Sequence, residues 1–320
     1  MEVRSGSPLL QTKGLTKYFK TSRGMLHAVD HVDLQIQAQK TLGVVGESGC
    51  GKSTLGRTIL RLIQPTDGSI LYRGEDIVHY STARMREMRR KMQIIFQDPY
   101  ASLDPRKTVK DLIADPLKVY KTPKSRRDEL VGQMMETVGL AERFAQTYPH
   151  ELDGGRRQRI GIARALVLHP EFIVCDEPVS ALDVSIQAQI LNLLMDLQES
   201  HGLTYLFITH DLSVVRHISD EIMVMYLGVV VERAPSKELF SSPLHPYTKE
   251  LIRAIPMPDL DPAHRLVNSL RGEVSDPIEP SASCRFAPRC NYCTAVCHSS
   301  QPTLKDMGNG HFVACALCGA

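Results

Sequence analysis

The sequence predicts an α/β fold, on three observations. "TLGVVGESG" is a short apolar strand running into a glycine turn, and the "KSTLGRTILRLI" behind it places Leu55, Ile59, Leu60 and Ile63 largely on one helical face. "EFIVCDEP" and "TYLFITHD" are unbroken apolar runs ending in polar residues, as strands buried in a parallel sheet do. From about Leu9 to Pro256, apolar runs alternate with amphipathic segments.

Between Pro105 and Ala165 the chain turns helical and charged ("SRRDELVGQMMETVGLAERF"), which predicts an inserted helical subdomain over about 100–165. After Pro256, prolines recur in "PMPDLDPAHRLVNSLRGEVSDPIEPSAS", a linker-like surface segment, and a cysteine-rich tail follows. The expected organisation is a large α/β domain over residues 1–257 and a small Cys-rich extension over 258–320.

The chain has 320 residues, 42% hydrophobic and 23% charged, ordinary values for a globular protein. A net charge of +2 leaves no electrostatic footprint for nucleic acid, so none is expected as a partner. The longest strongly apolar stretch, "IMVMYLGVVV" from Ile222 to Val231, falls far short of the roughly 20 residues a bilayer requires. "MEVRSGSPLL" shows no basic region followed by an apolar core, so no secretory signal is expected and the chain reads as cytosolic.

The most specific chemistry lies in "GESGCGKST", Gly46 to Thr54, which fits a phosphate loop between a strand and a helix. Gly49 and Gly51 free backbone N–H groups to wrap phosphates. Lys52 reaches the β- and γ-phosphates, and the Ser53 hydroxyl is suited to magnesium. Ser48, Cys50 and Thr54 complete the loop, and the helix that starts there adds the positive end of its dipole. In "FIVCDEP" a buried strand delivers Asp176 and Glu177 to its carboxyl end, where ligands gather in α/β sheets. Asp176 is placed to hold magnesium through water, and Glu177 to serve as general base on an attacking water.

Taken together, these motifs resemble the nucleotide-binding subunit of an ABC transporter over nearly the whole chain. In family order follow Gln97 in "FQDPYASLDP", the signature-like "LDGGR", "CDEP", "SALD" and "ITHD". The resemblance implies an ATPase in which Phe19 of "LTKYF" stacks on adenine, with Tyr18 the lesser candidate. It assigns Gln97 to the γ-phosphate and magnesium beside Ser53 and Asp176, Asp183 to a dimer interface, and His210 to the γ-phosphate. "SPLHPYTKELIRAIP" and the tail are similar to the ATPases of dipeptide, oligopeptide and nickel import systems, and "DEPVSALDVSIQAQILNLL" to their F-type subunit. That implies a second, D-type ATPase, two transmembrane permease subunits and an extracytoplasmic binding protein, with this chain at the cytoplasmic face of the membrane. A nickel or metallophore cargo stands as the alternative to peptides. The rival classes, a soluble ABC ATPase acting on nucleic acid or a non-catalytic regulator, are disfavoured. There are neither tandem cassettes nor a coiled-coil insertion, and Glu177 and His210 are both kept.

The signature departs from the family at two positions: Asp153 stands where a serine is expected and Arg156 where a glutamine is. Gly154 and Gly155 remain, so close backbone approach to a partner's nucleotide is preserved. Asp153 is as good a helix N-cap as serine. Facing a triphosphate, however, a bare carboxylate ~4 Å away at an effective dielectric of ~20 would repel it by about 4 kcal/mol, less whatever magnesium or Arg156 offsets. The chain's own site is therefore expected to be competent and the partner's degenerate.

Cys50 and Cys175 are isolated, whereas Cys284, Cys290, Cys293, Cys297, Cys315 and Cys318 crowd the tail. By resemblance, Cys284, Cys290, Cys297 and Cys315 are the ligands of a [4Fe–4S] cluster, without Cys293 or Cys318. Four thiolates suit structural zinc equally, and disulfides are the third option.

Overall fold

The computed structural model describes residues 7–255 and 277–318. The expected boundary at 257/258 and the proline-rich segment as far as 276 lie outside the described residues. The chain divides into two compact units: residues 1–36, 41–78 and 209–320 form the first, residues 37–40 and 79–208 the second.

In the first unit, β1 (Leu10–Thr21) and β2 (Gly24–Ile36) form an antiparallel hairpin with Leu10 opposite Ile36 and Thr21 opposite Gly24. β3 (Thr41–Val45) is buried along its whole length and leads through the glycine loop into α1 (Lys52–Ile59). β4 (Asp67–Tyr72) and β5 (Glu75–Asp76) complete a four-stranded sheet in the order β2-β1-β4-β5. α1 is shorter than its apolar spacing predicts. Arg61 takes a left-handed φ of 51°, and the amides of Leu62 and Ile63 donate back to the Arg57 carbonyl at 2.9 and 3.2 Å. This closes the helix before Ile63 can join its face.

In the second unit, α2 (Thr82–Lys91) precedes β6 (Met92–Ile95). A helical run then contains α3 (Pro99–Ser102), α4 (Val109–Val119), α5 (Lys124–Thr137) and α6 (Gly154–Leu166). β7 (Phe172–Asp176), α7 (Val184–His201) and β8 (Thr204–Ile208) follow. β6, β7 and β8 are parallel, with Met92 opposite Phe172 and Phe172 opposite Thr204. β7 and β8, five residues each, are buried at every position, as apolar strands covered on both faces are. The helices from 99 to 166 belong to the same compact unit as these strands. Leu112, Ile113, Met134, Ile160 and Leu166 pack in its core.

The chain returns to the first unit with α8 (Leu212–Ile218), β9 (Glu221–Tyr226), β10 (Val229–Pro235), α9 (Ser236–Ser241) and α10 (Pro246–Arg253). β9 runs parallel to β3 and antiparallel to β10. The apolar stretch Ile222–Val231 is thus a hairpin that turns at Leu227 (φ 43°) and Gly228 (φ 84°).

The described part of the cysteine-rich tail falls within the first compact unit. There β11 (Lys305–Asp306) pairs with β12 (Phe312–Val313), and β12 pairs with β10. So short a segment has too little apolar surface to bury alone. It borrows a core instead: Phe286 is buried, with its ring edge-on to Tyr226 at 5.2 Å and tilted against Tyr247 at 5.4 Å. All the cysteines are free thiols, so the disulfide alternative is not met.

His245 caps α10, its Nδ1 accepting the Tyr247 amide at 3.1 Å, and it is 2% exposed. Burial first, and the Lys249 charge second, push its imidazole down to about 4. The unfolded chain takes up this proton near pH ~6.5 while the folded chain refuses it. Stability from this residue is therefore full above that pH and lost as pH falls towards 4, by on the order of 1 kcal/mol per pH unit. Thermal unfolding of the wild type should show this loss between pH 7 and 5. His245→Asn, which keeps a capping acceptor, should flatten the slope.

Candidate nucleotide-binding and hydrolysis site

The first unit carries Phe19, the whole glycine loop and His210; the second carries Gln97, Asp153 to Gly155, Asp176, Glu177 and Asp183. The loop is fixed by backbone packing. Gly51 has φ 105°, and a Cβ there would lie 1.9 Å from the Ala28 carbonyl oxygen. At Gly46 (φ 154°) a Cβ would lie 2.2 Å from the Met225 carbonyl oxygen. Gly49 also has positive φ (80°) but nothing within 4 Å, so its freedom serves the turn and leaves open space above the loop. The Gly228 amide donates to the Cys50 carbonyl at 2.8 Å, tying the β9–β10 turn to the loop.

Lys52 is 4% exposed; its Nζ donates to the carbonyls of Gly46 at 2.7 Å and Glu47 at 2.9 Å and lies 3.8 Å from Cys50 Sγ. These are neutral groups. A buried ammonium held by neutral partners, at a helix start edged with backbone N–H groups, is matched to an incoming polyanion. The residues present therefore fit a nucleotide triphosphate. Burial pushes the Cys50 thiol up, so it stays protonated beside the ammonium.

Alternation along β1 puts Lys17 and Phe19 on one face and Tyr18 on the other. Tyr18 is committed within the protein: its ring stacks on His27 at 3.8 Å and its hydroxyl donates to Asp30 at 2.5 Å. Burial, then that bond to Asp30, raises its phenol far above the usual range. Phe19 is half-buried with the Lys17 ammonium 4.8 Å from its ring centre, and is the freer aromatic of the pair. Asp30 also receives His31 at 2.7 Å, His27 at 3.1 Å and the guanidinium of Arg285. Burial opposes ionisation of Asp30, but the hydrogen bonds from Tyr18, His31 and His27 and the Arg285 charge hold its carboxyl well below the usual range. These side chains line a cleft of about 610 Å³ that the glycine loop does not border.

In the second unit, Asp176 closes β7 with no exposed surface, and Glu177 follows at a left-handed φ of 47°. That conformation is uncommon for a residue with a side chain and marks stored strain. The Glu177 amide donates to the Ile208 carbonyl at 2.9 Å, and its carboxylate accepts Gln97 Nε2 at 2.8 Å. Two predicted site residues distant in sequence are thereby in contact. Asp183 N-caps α7, accepting the Ile186 amide at 3.0 Å and the Ser185 hydroxyl at 2.9 Å, and these bonds hold its carboxyl low. His210 is exposed, next to Asp211, the N-cap of α8.

Asp153 N-caps α6, and its carboxylate accepts the Arg156 amide at 2.7 Å. The other oxygen is ion-paired with the Arg156 guanidinium, which also lies over the Phe144 ring at 5.0 Å. The two substitutions in the signature are therefore a matched pair, and the carboxylate is not bare. The repulsion of about 4 kcal/mol expected for an uncompensated charge is an overestimate, because the arginine offsets much of it at close range. Gly155 has a structural reason to be glycine: a Cβ there would lie 2.7 Å from Ile186 Cγ2 of α7.

The expected cluster ligands Cys284, Cys290, Cys297 and Cys315 lie in the tail of the first unit. Among the described residues, no three His, Cys, Asp or Glu side chains are grouped to hold a metal ion, so the [4Fe–4S] site is not supported by this arrangement. Burial pushes the Cys284 and Cys290 thiols up, while a backbone hydrogen bond at Thr294 lowers Cys297. Sequence reasoning also missed Glu47, Tyr247 and Arg289. Arg289 forks onto the Glu47 carboxylate at 2.7 and 3.0 Å, and the Glu47 amide donates to the Tyr247 hydroxyl at 2.9 Å. No local spacing reveals a contact between residues 242 positions apart.

Comparison with known proteins fits this geometry. The ABC transporter family matches residues 29–180, and the family described as "Oligopeptide/dipeptide transporter, C-terminal region" matches residues 231–297. The chain is 51% identical to the putative oligopeptide transport ATP-binding protein YkfD of Bacillus subtilis, over 97% of this chain and 95% of that protein. It is 48% identical to the dipeptide transport ATP-binding protein DppF of Haemophilus influenzae, over 98% of each. Among solved structures, the ATP-binding cassette MJ0796, a dimer bound to ADP and Pi, superposes with a TM-score of 0.64 at 30% identity. That match covers 71% of this chain and 98% of the cassette. With its phosphate loop, its strand-end carboxylates and these relatives along its length, the chain belongs to the ABC transporter family of ATPases, in the branch of peptide-transport ATP-binding proteins.

Proposed function

We propose that this chain hydrolyses ATP to drive import of dipeptides or oligopeptides, at the cytoplasmic face of a membrane. It would work beside a D-type ATPase and under two permease subunits, with an extracytoplasmic binding protein supplying the peptide. The observation that carries the reading is the glycine loop with its buried Lys52, in a chain that parallels peptide-transport ATP-binding proteins from end to end. Among the described residues no helix is long and apolar enough to cross a membrane.

In this reading Phe19 stacks on adenine, since Tyr18 is already held by His27 and Asp30. Gly46, Ser48, Gly49, Cys50, Gly51 and Thr54 shape the phosphate cradle, and Lys52 leaves the loop carbonyls for the β- and γ-phosphates. Ser53, Gln97 and Asp176 hold magnesium, which supplies charge neutralisation at the phosphate oxygens. Glu177 takes the proton from the attacking water, oriented by its bond from Gln97. His210 contacts the γ-phosphate and Asp183 faces the partner ATPase. Asp153, Gly154 and Gly155 serve the nucleotide bound by the partner. There the Asp153–Arg156 pair offers neither the hydroxyl of a serine nor a free amide, and this site is the weaker of the two.

For the tail, an iron–sulfur module remains the finer reading of residues 258–320. It rests on the family resemblance and on nearness: the Cys284 amide donates to the Cys297 carbonyl at 2.9 Å, and the Cys290 thiol feels Cys297 and Cys315. Anaerobically purified protein should be brown, contain acid-labile sulfide and lose its visible absorption in Cys290→Ser but not in Cys293→Ser. Stoichiometric zinc without sulfide would overturn this reading.

The asymmetry of the two sites is tested in the assembled transporter. Glu177→Gln removes the base of the competent site and should lower the ATPase rate ~10²–10⁴-fold. The equivalent change in the partner ATPase should cost far less. Equal losses from the two variants would show that the Asp153–Arg156 signature is functional. ATPase activity of the isolated chain equal to that of the assembly would contradict the need for a partner.

A further inference from the structure

We propose that Arg289 of the cysteine-rich tail is a positioning residue for the phosphate loop, acting through Glu47. The inference rests on the nucleotide-site reading above and adds to it a part for the tail in holding that site.

The two ends of the contact belong to one compact unit. Arg289 closes a short 3-10 turn (Ala287–Arg289) directly before Cys290, and its side chain is 6% exposed. Both terminal nitrogens grip the Glu47 carboxylate, at 2.7 Å to Oε2 and 3.0 Å to Oε1. A two-pronged guanidinium–carboxylate contact fixes orientation as well as distance. Glu47 is the second residue of the loop. Its amide donates to the Tyr247 hydroxyl at 2.9 Å, and its carbonyl accepts Lys52 Nζ, also at 2.9 Å. Side chain, amide and carbonyl of one loop residue are therefore fixed by the tail, by α10 and by the phosphate-binding lysine.

The clamp itself is braced. Tyr226 lies between the groups, its hydroxyl 3.5 Å from the Arg289 nitrogen and its ring packed on Tyr247 and Phe286. Arg285, four residues earlier, bonds to the carbonyl of Leu227 and to Asp30, so the same tail segment also holds the β9–β10 turn that ties to Cys50. A carboxylate in an anion-binding loop would by itself oppose the triphosphate. Gripped by Arg289, it instead anchors the loop beside Lys52.

The test measures affinity of the full chain for a fluorescent ATP analogue with magnesium. Thermal midpoints are recorded alongside, for the wild type, Arg289→Met, Glu47→Gln and the double variant. Arg289→Met and Glu47→Gln should each weaken the analogue by roughly tenfold, and the double variant should be no worse than either. Arg289→Lys, which keeps the charge but not the fork, should fall between. Arg233 makes a comparable fork onto Glu221 at 2.7 Å away from the loop, and Arg233→Met should lower the midpoint without changing affinity. If Arg289→Met does not fold, the nearly isosteric Glu47→Gln decides alone: unchanged or tighter binding overturns the proposal. A double variant restored to wild-type affinity would show that Arg289 only cancels the Glu47 charge, and would also overturn it. Failure of the wild type to bind the analogue would instead sink the ATPase reading.

Discussion

The first unit is organised around a loop pressed against the backbone of two strands. Gly51 presses on the Ala28 carbonyl of β2 and Gly46 on the Met225 carbonyl of β9, at separations no side chain tolerates. Because both walls are backbone, relief by a rotamer change is closed off. The conformation that exposes N–H groups to an anion is thus imposed by the packing of two strands. Lys52 is the other half of the same constraint. Its buried ammonium is satisfied by the carbonyls of Gly46 and Glu47, so the loop closes on its own lysine.

Around this loop, two carboxylates of the first unit each gather long polar side chains. Asp30 gathers Tyr18, His27, His31 and Arg285, and Glu47 gathers Arg289. Buried or half-buried carboxylates with several donors are costly to break, since each leaves uncompensated charge behind. The tail therefore does more than decorate the sheet. β12 extends β10 by backbone pairing, Phe286 packs against Tyr226 and Tyr247, and Arg285 and Arg289 reach Asp30 and Glu47.

The second unit shows a different economy. Its parallel strands β7 and β8 are buried at every position, and Asp176 and Glu177 sit at the end of one of them. Glu177 leaves the strand in a left-handed conformation, secured by its amide bond to Ile208, which turns its carboxylate towards Gln97. At the start of α6, Asp153 meets the demands of a helix N-cap as fully as a serine would, and Arg156 from the same turn compensates its charge. The altered signature thus keeps its N-cap and balances its charge within one turn.

The sequence by itself determined the α/β class, the strand–loop–helix at 41–59, the buried strands before Glu177 and His210, and Asp153 as a cap. Each is governed by neighbours a few positions away: apolar runs, glycines at a turn, a short acceptor before a helix. The early end of α1 escaped it, because a left-handed residue at Arg61 is invisible in helical spacing. The hairpin within Ile222–Val231 escaped for a similar reason, since one apolar run serves a long strand or two short ones equally well. Only the tertiary structure decided that Tyr18 is spent on Asp30 while Phe19 is left freer, and that the tail joins the first unit. It also brought Arg289 to Glu47. Those outcomes depend on which side chains meet across the fold, and a pairing between charges 242 residues apart leaves no periodic trace in either partner's neighbourhood.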